Sequence, residues 1–284
     1  MTRISVVIPN SGQTSLPLTV ESLIDSEVHP FEVLICDDSK SKRSSVDAVP
    51  LSPGVSIIRG EENQIQAKRT GARAAGGDYV LFLDSDQTVH PKLLGELAAT
   101  SSISALVPER VRGRNPLALY EDERKRLAFA RFVAHPSIDQ PVAPRYYRRA
   151  ELLASFELLE SMVPIEELWQ HEDSALFWAF ATRARRPLAE VTHLSHYPIF
   201  NRSQDVLTTI RKAGNYGVNR GRFQRLAHRR QQEGTEELLR ILGRIDLWRP
   251  PVDPAGRVEL RALLYDLLRA TPYMLGYVWG EARS

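Results

Sequence analysis

Residues 79–86, with the sequence YVLFLDSD, decide the fold of this 284-residue chain. Their largely apolar first five residues predict a buried β-strand, which ends where two carboxylates, Asp84 and Asp86, stand one residue apart. Because residues i and i+2 of an extended chain point the same way, both carboxylates can converge on one cation or on one metal-bound diphosphate. Carboxylate oxygens suit Mg²⁺ or Mn²⁺, and proteins commonly hold Mg²⁺ with one or two carboxylates and the phosphates of a substrate.

The first hundred residues alternate between strand and helix patterns. This alternation predicts an α/β fold with a mostly parallel sheet flanked by helices, since parallel strands are joined by right-handed crossovers. The predicted strands are 4–8, 31–36, 55–58 and 79–83; the predicted helices begin at the N-cap Ser15, cover 64–75 and cover 91–100.

Polar residues follow three of these strands. Ligands of such sheets bind at the carboxyl ends of the strands, so these residues predict one binding site at one edge. They are Pro9 and Asn10; Asp37, Asp38 and Ser39; and Asp84, Ser85 and Asp86.

The second half of the chain is less regular. We predict strands at 105–112, 143–149 and 188–193, a helix at 173–183, and a division into a domain of residues 1–215 and a helical C-terminal extension of residues 216–284. The extension begins with an arginine-rich helix, continues with an apolar segment at 238–245 and a proline-rich break at 249–254, and ends in a leucine-striped helix. The arginine run, Arg220, Arg222, Arg225, Arg229 and Arg230, indicates a solvated face, a lid over the site or a contact with anionic lipid.

Composition sets further limits. With 43% hydrophobic and 25% charged residues, the chain is predicted to be globular, and its net charge of +2 indicates no general affinity for nucleic acid or membrane. The single cysteine, Cys36, excludes an internal disulfide or a multi-cysteine zinc site and is predicted to be a buried thiol. The final leucine stripe indicates a core or homodimer contact rather than a membrane anchor.

We expect a cytoplasmic protein without a transmembrane segment. No secretion signal precedes the first predicted strand. The longest late apolar stretch, 270–280, has 11 residues and contains Pro272, whereas a membrane-spanning helix needs about 20.

From about residue 3 to residue 215, the chain resembles the family 2 glycosyltransferases, which have the GT-A fold. No single motif decides this, but the order of the motifs is strong evidence. The matching segments are 6–10 (VVIPN), 16–23, 32–39 (EVLICDDS), 63–71, 77–86 (GDYVLFLDSD) and 169–173 (WQHED).

This resemblance implies an inverting enzyme that moves a sugar from a nucleotide-sugar, most often UDP-linked, to an acceptor hydroxyl or amine with Mn²⁺ or Mg²⁺. It implies that Asp37 or Asp38 binds the nucleotide base, beside Pro9 and Asn10, although Asp37–Ser39 could also be a simple turn. It further implies that Asp84 and Ser85 contact the donor, and that Asp86, with Asp84, binds the metal.

The resemblance also implies that Asp173, in the motif it forms with Glu172, is the general base. The alternative is a helix N-cap, because a new apolar helix pattern follows at once. Lys68 and Arg69, which stand where Arg-Asn is usual in the family, could neutralise the donor phosphates or form a solvated helix face.

A late histidine completes the metal site in several GT-A enzymes. His193 and His196 both follow the helix of the Glu-Asp motif, and His196 is the better match. A surface or core role is the alternative.

Two departures from the family affect the acceptor. Residues 154–157 (ASFE) replace the usual Gly-Gly-Phe-Asp-Glu, and the Gln-x-x-Arg-Trp motif of processive synthases is missing from the sequence. We therefore expect the addition of a single sugar, with the acceptor pocket built from residues 113–144 and the C-terminal helices.

Two other classes of protein compete with this interpretation. A sugar-1-phosphate nucleotidyltransferase would carry a glycine-rich loop after the first strand, whereas residues 9–14 contain one glycine. A non-catalytic nucleotide-sugar-binding relative would not need the full set of carboxylates.

Overall fold

The structure, a computed structural model of the chain, describes residues 2–38, 45–50, 52–60, 63–113, 115–138, 142–165, 168, 172–203, 205–229 and 260–282. The strands are β1 (Ile4–Asn10), β2 (Glu32–Asp37), β3 (Val55–Arg59), β4 (Tyr79–Phe82), β5 (Gln87–Val89), β6 (Ser104–Leu106), β7 (Glu109–Arg112), β8 (Tyr146–Arg148), β9 (Thr192–Leu194) and β10 (Ile199–Arg202). The helices are α1 (Leu16–Ile24), α2 (Gln64–Ala74), α3 (Leu93–Ala99), α4 (Pro116–Ala134), α5 (Arg149–Met162), α6 (Glu172–Ala184), α7 (Leu188–Val191), α8 (Val206–Arg229) and α9 (Leu260–Ala282).

Two sheets organise the described residues. The larger has seven strands in the order β3-β2-β1-β4-β8-β6-β9, and β8 alone among these strands runs antiparallel to its neighbours. The smaller has the order β5-β10-β7. The predicted α/β class with a mostly parallel sheet flanked by helices is confirmed.

The central strands are buried on both faces. All seven residues of β1 are buried, as expected for a parallel strand covered by helices on both sides. Helix α2 packs closely on β1, because a Cβ atom on Gly71 would lie 2.3 Å from Val7 Cγ1. Glycine therefore sets the short distance between this helix and the sheet. Cys36, on β2, is a buried thiol, as predicted.

Three predicted strands were wrong in detail. Segment 105–112 forms two strands in different sheets, since Pro108 lies between them and has no amide to continue a ladder. Segment 143–149 contributes only β8, because the chain turns into α5 at Arg149. Segment 188–193 begins as the short helix α7 after Pro187, whose fixed φ suits a helix start, and only then becomes β9.

Segment 113–144, expected to supply loops, contains the long helix α4 instead. Asn115 caps it by accepting a hydrogen bond from the Ala118 amide at 2.7 Å, and Pro116 occupies its first turn. The charged run in the middle of α4 obscured the apolar stripe on which a helix prediction depends.

Helices α8 and α9 pack backbone to backbone. A Cβ atom on Gly217 would lie 2.0 Å from the Tyr273 carbonyl oxygen, and one on Gly276 would lie 2.1 Å from that of Gly214. Helix α8 runs through the predicted domain boundary at residues 215 and 216, which stays a prediction.

The other predictions for the extension fall on parts that the structure does not describe. The side chains of the arginine run and the segments at 238–245 and 249–254 lie outside the described residues. Within the described part of the chain, none of the helices combines the length and the hydropathy that crossing a bilayer requires.

Candidate active site

The carboxyl ends of β1, β2 and β4 open onto a cavity of about 720 Å³. Helices α4, α8 and α9 form the facing wall with Lys125, Lys212, Tyr216 and Arg269. The structure brings eight predicted site residues to this cavity: Pro9, Asn10, Asp38, Asp84, Ser85, Asp86, Glu172 and Asp173.

The ends of β1 and β2 are joined by a buried polar pair. Asn10 pairs with Asp37 in the strand register, and its Nδ2 donates a hydrogen bond to Asp37 Oδ1 at 2.7 Å. Asp37 is buried, and among the described residues its Oδ2 has no hydrogen-bond partner. Asp38 lies beside this pair and lines the cavity, whereas Ser39 lies outside the described residues.

The turn that holds Asp84 and Asp86 is fixed by helix α1. The hydroxyls of Ser15 and Thr19 both donate to the Ser85 carbonyl, each at 3.1 Å. Ser15 is the N-cap of α1, as predicted, but its hydroxyl holds this turn instead of capping the helix. The turn is thus anchored at its centre, and both carboxylates line the cavity.

Each of these two carboxylates faces a basic side chain. Asp84 Oδ2 lies 3.1 Å from Arg145 Nη2, and Asp86 Oδ2 lies 3.7 Å from Lys212 Nζ. Burial, and then the nearby charge of Asp84, raises the pKa of Asp86 above its usual value. Asp86 is therefore a partly buried carboxylate that an additional positive charge would stabilise.

This arrangement fits a divalent cation that arrives together with a phosphate ligand. Among the described residues, no group of three or more His, Cys, Asp and Glu side chains could hold a metal ion. Two carboxylates on one turn do match the one or two that Mg²⁺ needs when phosphate oxygens complete its shell. The two carboxylates alone would therefore not complete the coordination shell of the cation, which needs the phosphate oxygens of the ligand as well.

Asp173 lies in the first turn of α6, next to a buried lysine. Lys68 Nζ donates to Asp173 Oδ1 at 2.5 Å, and the Lys68 side chain is 1% exposed whereas that of Asp173 is 31% exposed. Burial acts to raise the pKa of Asp173, but the charges of Lys68 and Arg145 outweigh it and hold that pKa below its usual value. Asp173 is therefore an ionised carboxylate at the cavity wall.

Glu172 begins α6 and shares the same lysine. Its Oε1 lies 3.9 Å from Lys68 Nζ. Burial, only partly offset by Lys68, raises the pKa of Glu172 to about 7. The described part of α6 begins at Glu172, and Asp173 stands in its first turn. There the positive end of the helix dipole also favours carboxylates.

Arg145 was missed by the sequence reasoning. Its guanidinium contacts Asp84, lies 2.8 Å from Glu109 Oε1 and reaches to 3.5 Å from Asp173 Oδ2. Glu109 also pairs with Lys125. The sequence offers no spacing signal for Arg145, which stands just before β8 and far along the chain from all three carboxylates.

The other four predicted site residues do not line the cavity. Asp37 stands behind Asn10, and Lys68 reaches Asp173 from the buried side of α2. Arg69 pairs with Glu160 on α5. Neither basic residue is placed to neutralise a donor phosphate, and the solvated helix face is also wrong for buried Lys68.

His196 is likewise not brought to Asp84 and Asp86. Its Nδ1 lies 2.6 Å from Glu96 Oε1 on α3, and its side chain is 83% exposed. His193 Nε2 lies 3.5 Å from the same oxygen. Glu96 thus gathers both histidines at a separate surface, and this structure gives His196 no place in the metal set.

The fold and the cavity define an α/β domain with a polar site at the carboxyl ends of its strands. Residues 5–126 match the sequence model of glycosyl transferase family 2, which supports the resemblance over this part of the chain. An uncharacterized glycosyltransferase of Haemophilus influenzae is 35% identical over 92 residues. The chain thus matches only 31% of that relative's length, and the match covers 31% of this chain.

Solved structures share the fold over almost the whole chain. A crystal structure of S. aureus TarS 1-349 in complex with UDP-GlcNAc aligns with a TM-score of 0.52 and 16% identity, covering 99% of this chain and 90% of that one. The mannosyltransferase PcManGT from Pyrobaculum calidifontis, in complex with GDP-Man and Mn²⁺, aligns with a TM-score of 0.52 and 17% identity, covering 99% and 86%. At these identities the likeness shows the fold, which is that of GT-A glycosyltransferases.

Proposed function

We propose that the chain is an inverting glycosyltransferase that moves one sugar from a nucleotide-diphosphate sugar to an acceptor hydroxyl or amine. The observation that carries the proposal is the cavity shared by the turn of Asp84 and Asp86 and by the ionised carboxylate of Asp173. The family match of residues 5–126 supports the same class of enzyme.

The nucleoside of the donor would bind at the ends of β1 and β2. Asn10 and Asp38 line the cavity there. Behind them, the Oδ2 of buried Asp37 has no hydrogen-bond partner among the described residues and would be a further acceptor. Pro9 and Ser85 complete this side of the wall. UDP- and GDP-linked sugars are the donors to test first, because the two neighbours with the same fold were solved with UDP-GlcNAc and GDP-Man.

Asp86 and Asp84 would hold the divalent cation with the phosphates of the donor. The cation would act as a Lewis acid toward the charge that develops on the leaving diphosphate, an effect worth several kcal/mol. The Mn²⁺ in the PcManGT complex supports the choice of Mn²⁺ or Mg²⁺. Lys212, which faces Asp86, is also within reach of this region.

Asp173 would act as the general base. As the acceptor oxygen forms its bond to the anomeric carbon, the bond from that carbon to the diphosphate oxygen breaks, and the acceptor proton passes to the Asp173 carboxylate. Attack from the face opposite the leaving group inverts the anomeric centre. Glu172 would support this step as the neighbouring carboxylate that shares Lys68 with Asp173.

The test is the release of nucleoside diphosphate from a panel of UDP- and GDP-sugars, with Mn²⁺, with Mg²⁺ and with EDTA. The proposal predicts release from at least one donor, dependent on the cation, with an inverted sugar anomer when water is the acceptor. Pyrophosphate release from a nucleoside triphosphate and a sugar 1-phosphate, without any donor turnover, would contradict it.

A further inference from the structure

We propose that Lys68 is the positioning residue of the transfer reaction: its ammonium fixes one oxygen of Asp173 and keeps the carboxylate ionised, so that the other oxygen can take the acceptor proton. This inference rests on the proposed function and adds to it a residue that does not touch either substrate. Lys68 does not line the cavity, whereas Asp173 does.

The contact between the two residues is close and one-sided. Lys68 Nζ lies 2.5 Å from Asp173 Oδ1. The guanidinium of Arg145 lies at the longer distance of 3.5 Å from Oδ2. Oδ1 is therefore the held oxygen, and Oδ2 is the less tightly bound one that can accept a proton.

Of the two carboxylates that share Lys68, Asp173 is the closer, since Glu172 Oε1 lies 3.9 Å from the ammonium. Lys68 is fully buried, and its ammonium lies 5.8 Å from the centroid of the Phe82 ring, on the strand that leads to Asp84. A buried ion pair is often no more stable than well-packed apolar side chains of similar size, so stability alone is a weak reason for a lysine here. The close approach of α2 to β1 at Gly71 fixes the helix that carries it.

Among the described residues, charged and titratable groups from several elements surround Asp173. Lys68 lies on α2, Glu109 on β7 and Glu172 on α6 itself. Tyr147 lies on β8, and Arg145 directly precedes that strand. The cations Lys68 and Arg145 favour the ionised form of Asp173, whereas burial and the carboxylates oppose it. Removing Lys68 leaves one cation against these opposing effects.

The experiment is the pH profile of kcat/KM for nucleoside diphosphate release by wild type, Lys68→Met and Lys68→Arg. Loss of an opposite charge at this distance shifts a carboxyl pKa by about 1–3 units, so the acidic limb of Lys68→Met should move at least about one pH unit upward. Lys68→Arg keeps the positive charge at this position, so its acidic limb should stay near that of wild type.

Arg73→Met is the matched control, because it removes a cation from the same helix but breaks only an exposed pair with Glu160. The acidic limb of the pH profile of Arg73→Met should stay at the wild-type position. If Lys68→Met does not fold, Lys68→Gln carries the same expectation. If Lys68→Met or Lys68→Gln is slower than wild type but its acidic limb does not move, Lys68 has a purely structural role and the proposal is overturned.

The variant Asp173→Asn separates this inference from the proposed function. An inactive Asp173→Asn with an unmoved limb in the neutral Lys68 variant would overturn the role of Lys68 alone. An Asp173→Asn variant as active as wild type would remove the base, and the role of Lys68 with it.

Discussion

The guanidinium of Arg145 lies 3.1 Å from Asp84 and thereby ties the carboxylate turn after β4 to the wall that carries Asp173. The same guanidinium pairs with Glu109, and the Arg145 side chain is 11% exposed. One arginine thus compensates carboxylates from three separate parts of the chain.

We expect Arg145→Met to destabilise the protein strongly. Removing one partner of a buried ionic network leaves the others uncompensated, which costs about 3–5 kcal/mol. Chemical denaturation measures the change in the free energy of unfolding. Arg183→Met, at an exposed position of α6, is the control and should change it by less than about 0.5 kcal/mol. Equal effects of the two substitutions would contradict the network.

Asp86→Asn should weaken the binding of nucleoside diphosphate only when the cation is present. The neutral amide is a poorer ligand for a hard cation, so we expect the Mn²⁺-dependent affinity for UDP or GDP to fall at least about tenfold. Isothermal titration with Mn²⁺ and with EDTA measures both states. Asp47→Asn, at an exposed position, should bind as wild type does. An unchanged affinity of Asp86→Asn in Mn²⁺ would exclude Asp86 from the metal site.

The raised pKa of Glu172, about 7 against an ordinary value of 4.5, predicts a pH-dependent stability. Between these values the folded chain binds more protons than the unfolded chain, so the free energy of unfolding falls as the pH rises. In Glu172→Gln this loss between pH 5 and pH 8 should be smaller than in wild type by about 1–3 kcal/mol. Glu157→Gln, at an exposed site on α5, should follow wild type. A steeper fall in Glu172→Gln would refute the shift.

Gly217→Ala should loosen the packing of α8 against α9, since its new Cβ would meet the Tyr273 carbonyl oxygen at 2.0 Å. Overpacking of this kind costs about 1–3 kcal/mol. Gly95→Ala is a matched control, because a Cβ there would lie 3.4 Å from Val28 Cγ2 and alanine favours a helix interior. Thermal unfolding should show a lower Tm for Gly217→Ala and an equal or higher one for Gly95→Ala. The reverse order would contradict the close helix contact.

The sequence predicts those features that depend on local patterns. The apolar runs of β1 and β4 and the carboxylates after β4 are adjacent in the chain, so their common edge follows from parallel-sheet geometry. Asp173 could be placed at the start of a helix, because an apolar helix pattern directly follows it in the chain.

Contacts between distant segments could not be predicted in this way. The pairing of His196 with Glu96 and that of Lys68 with Asp173 join residues about a hundred positions apart, and no spacing rule connects them. Helix α2 is rich in small and basic residues, which suggested a solvated face for Lys68; the close approach at Gly71 buries that residue instead.

The most direct test of the account is the turnover of Asp173→Asn with a donor that wild type uses, at saturating Mn²⁺. Loss of a general base lowers the rate by about 10²–10⁴-fold, while the KM for the donor should stay within a few-fold because Asp173 acts on the acceptor. Asp25→Asn, at an exposed position after α1, is the control and should keep the wild-type rate. A kcat of folded Asp173→Asn within about threefold of wild type would contradict the assignment of Asp173 as the base.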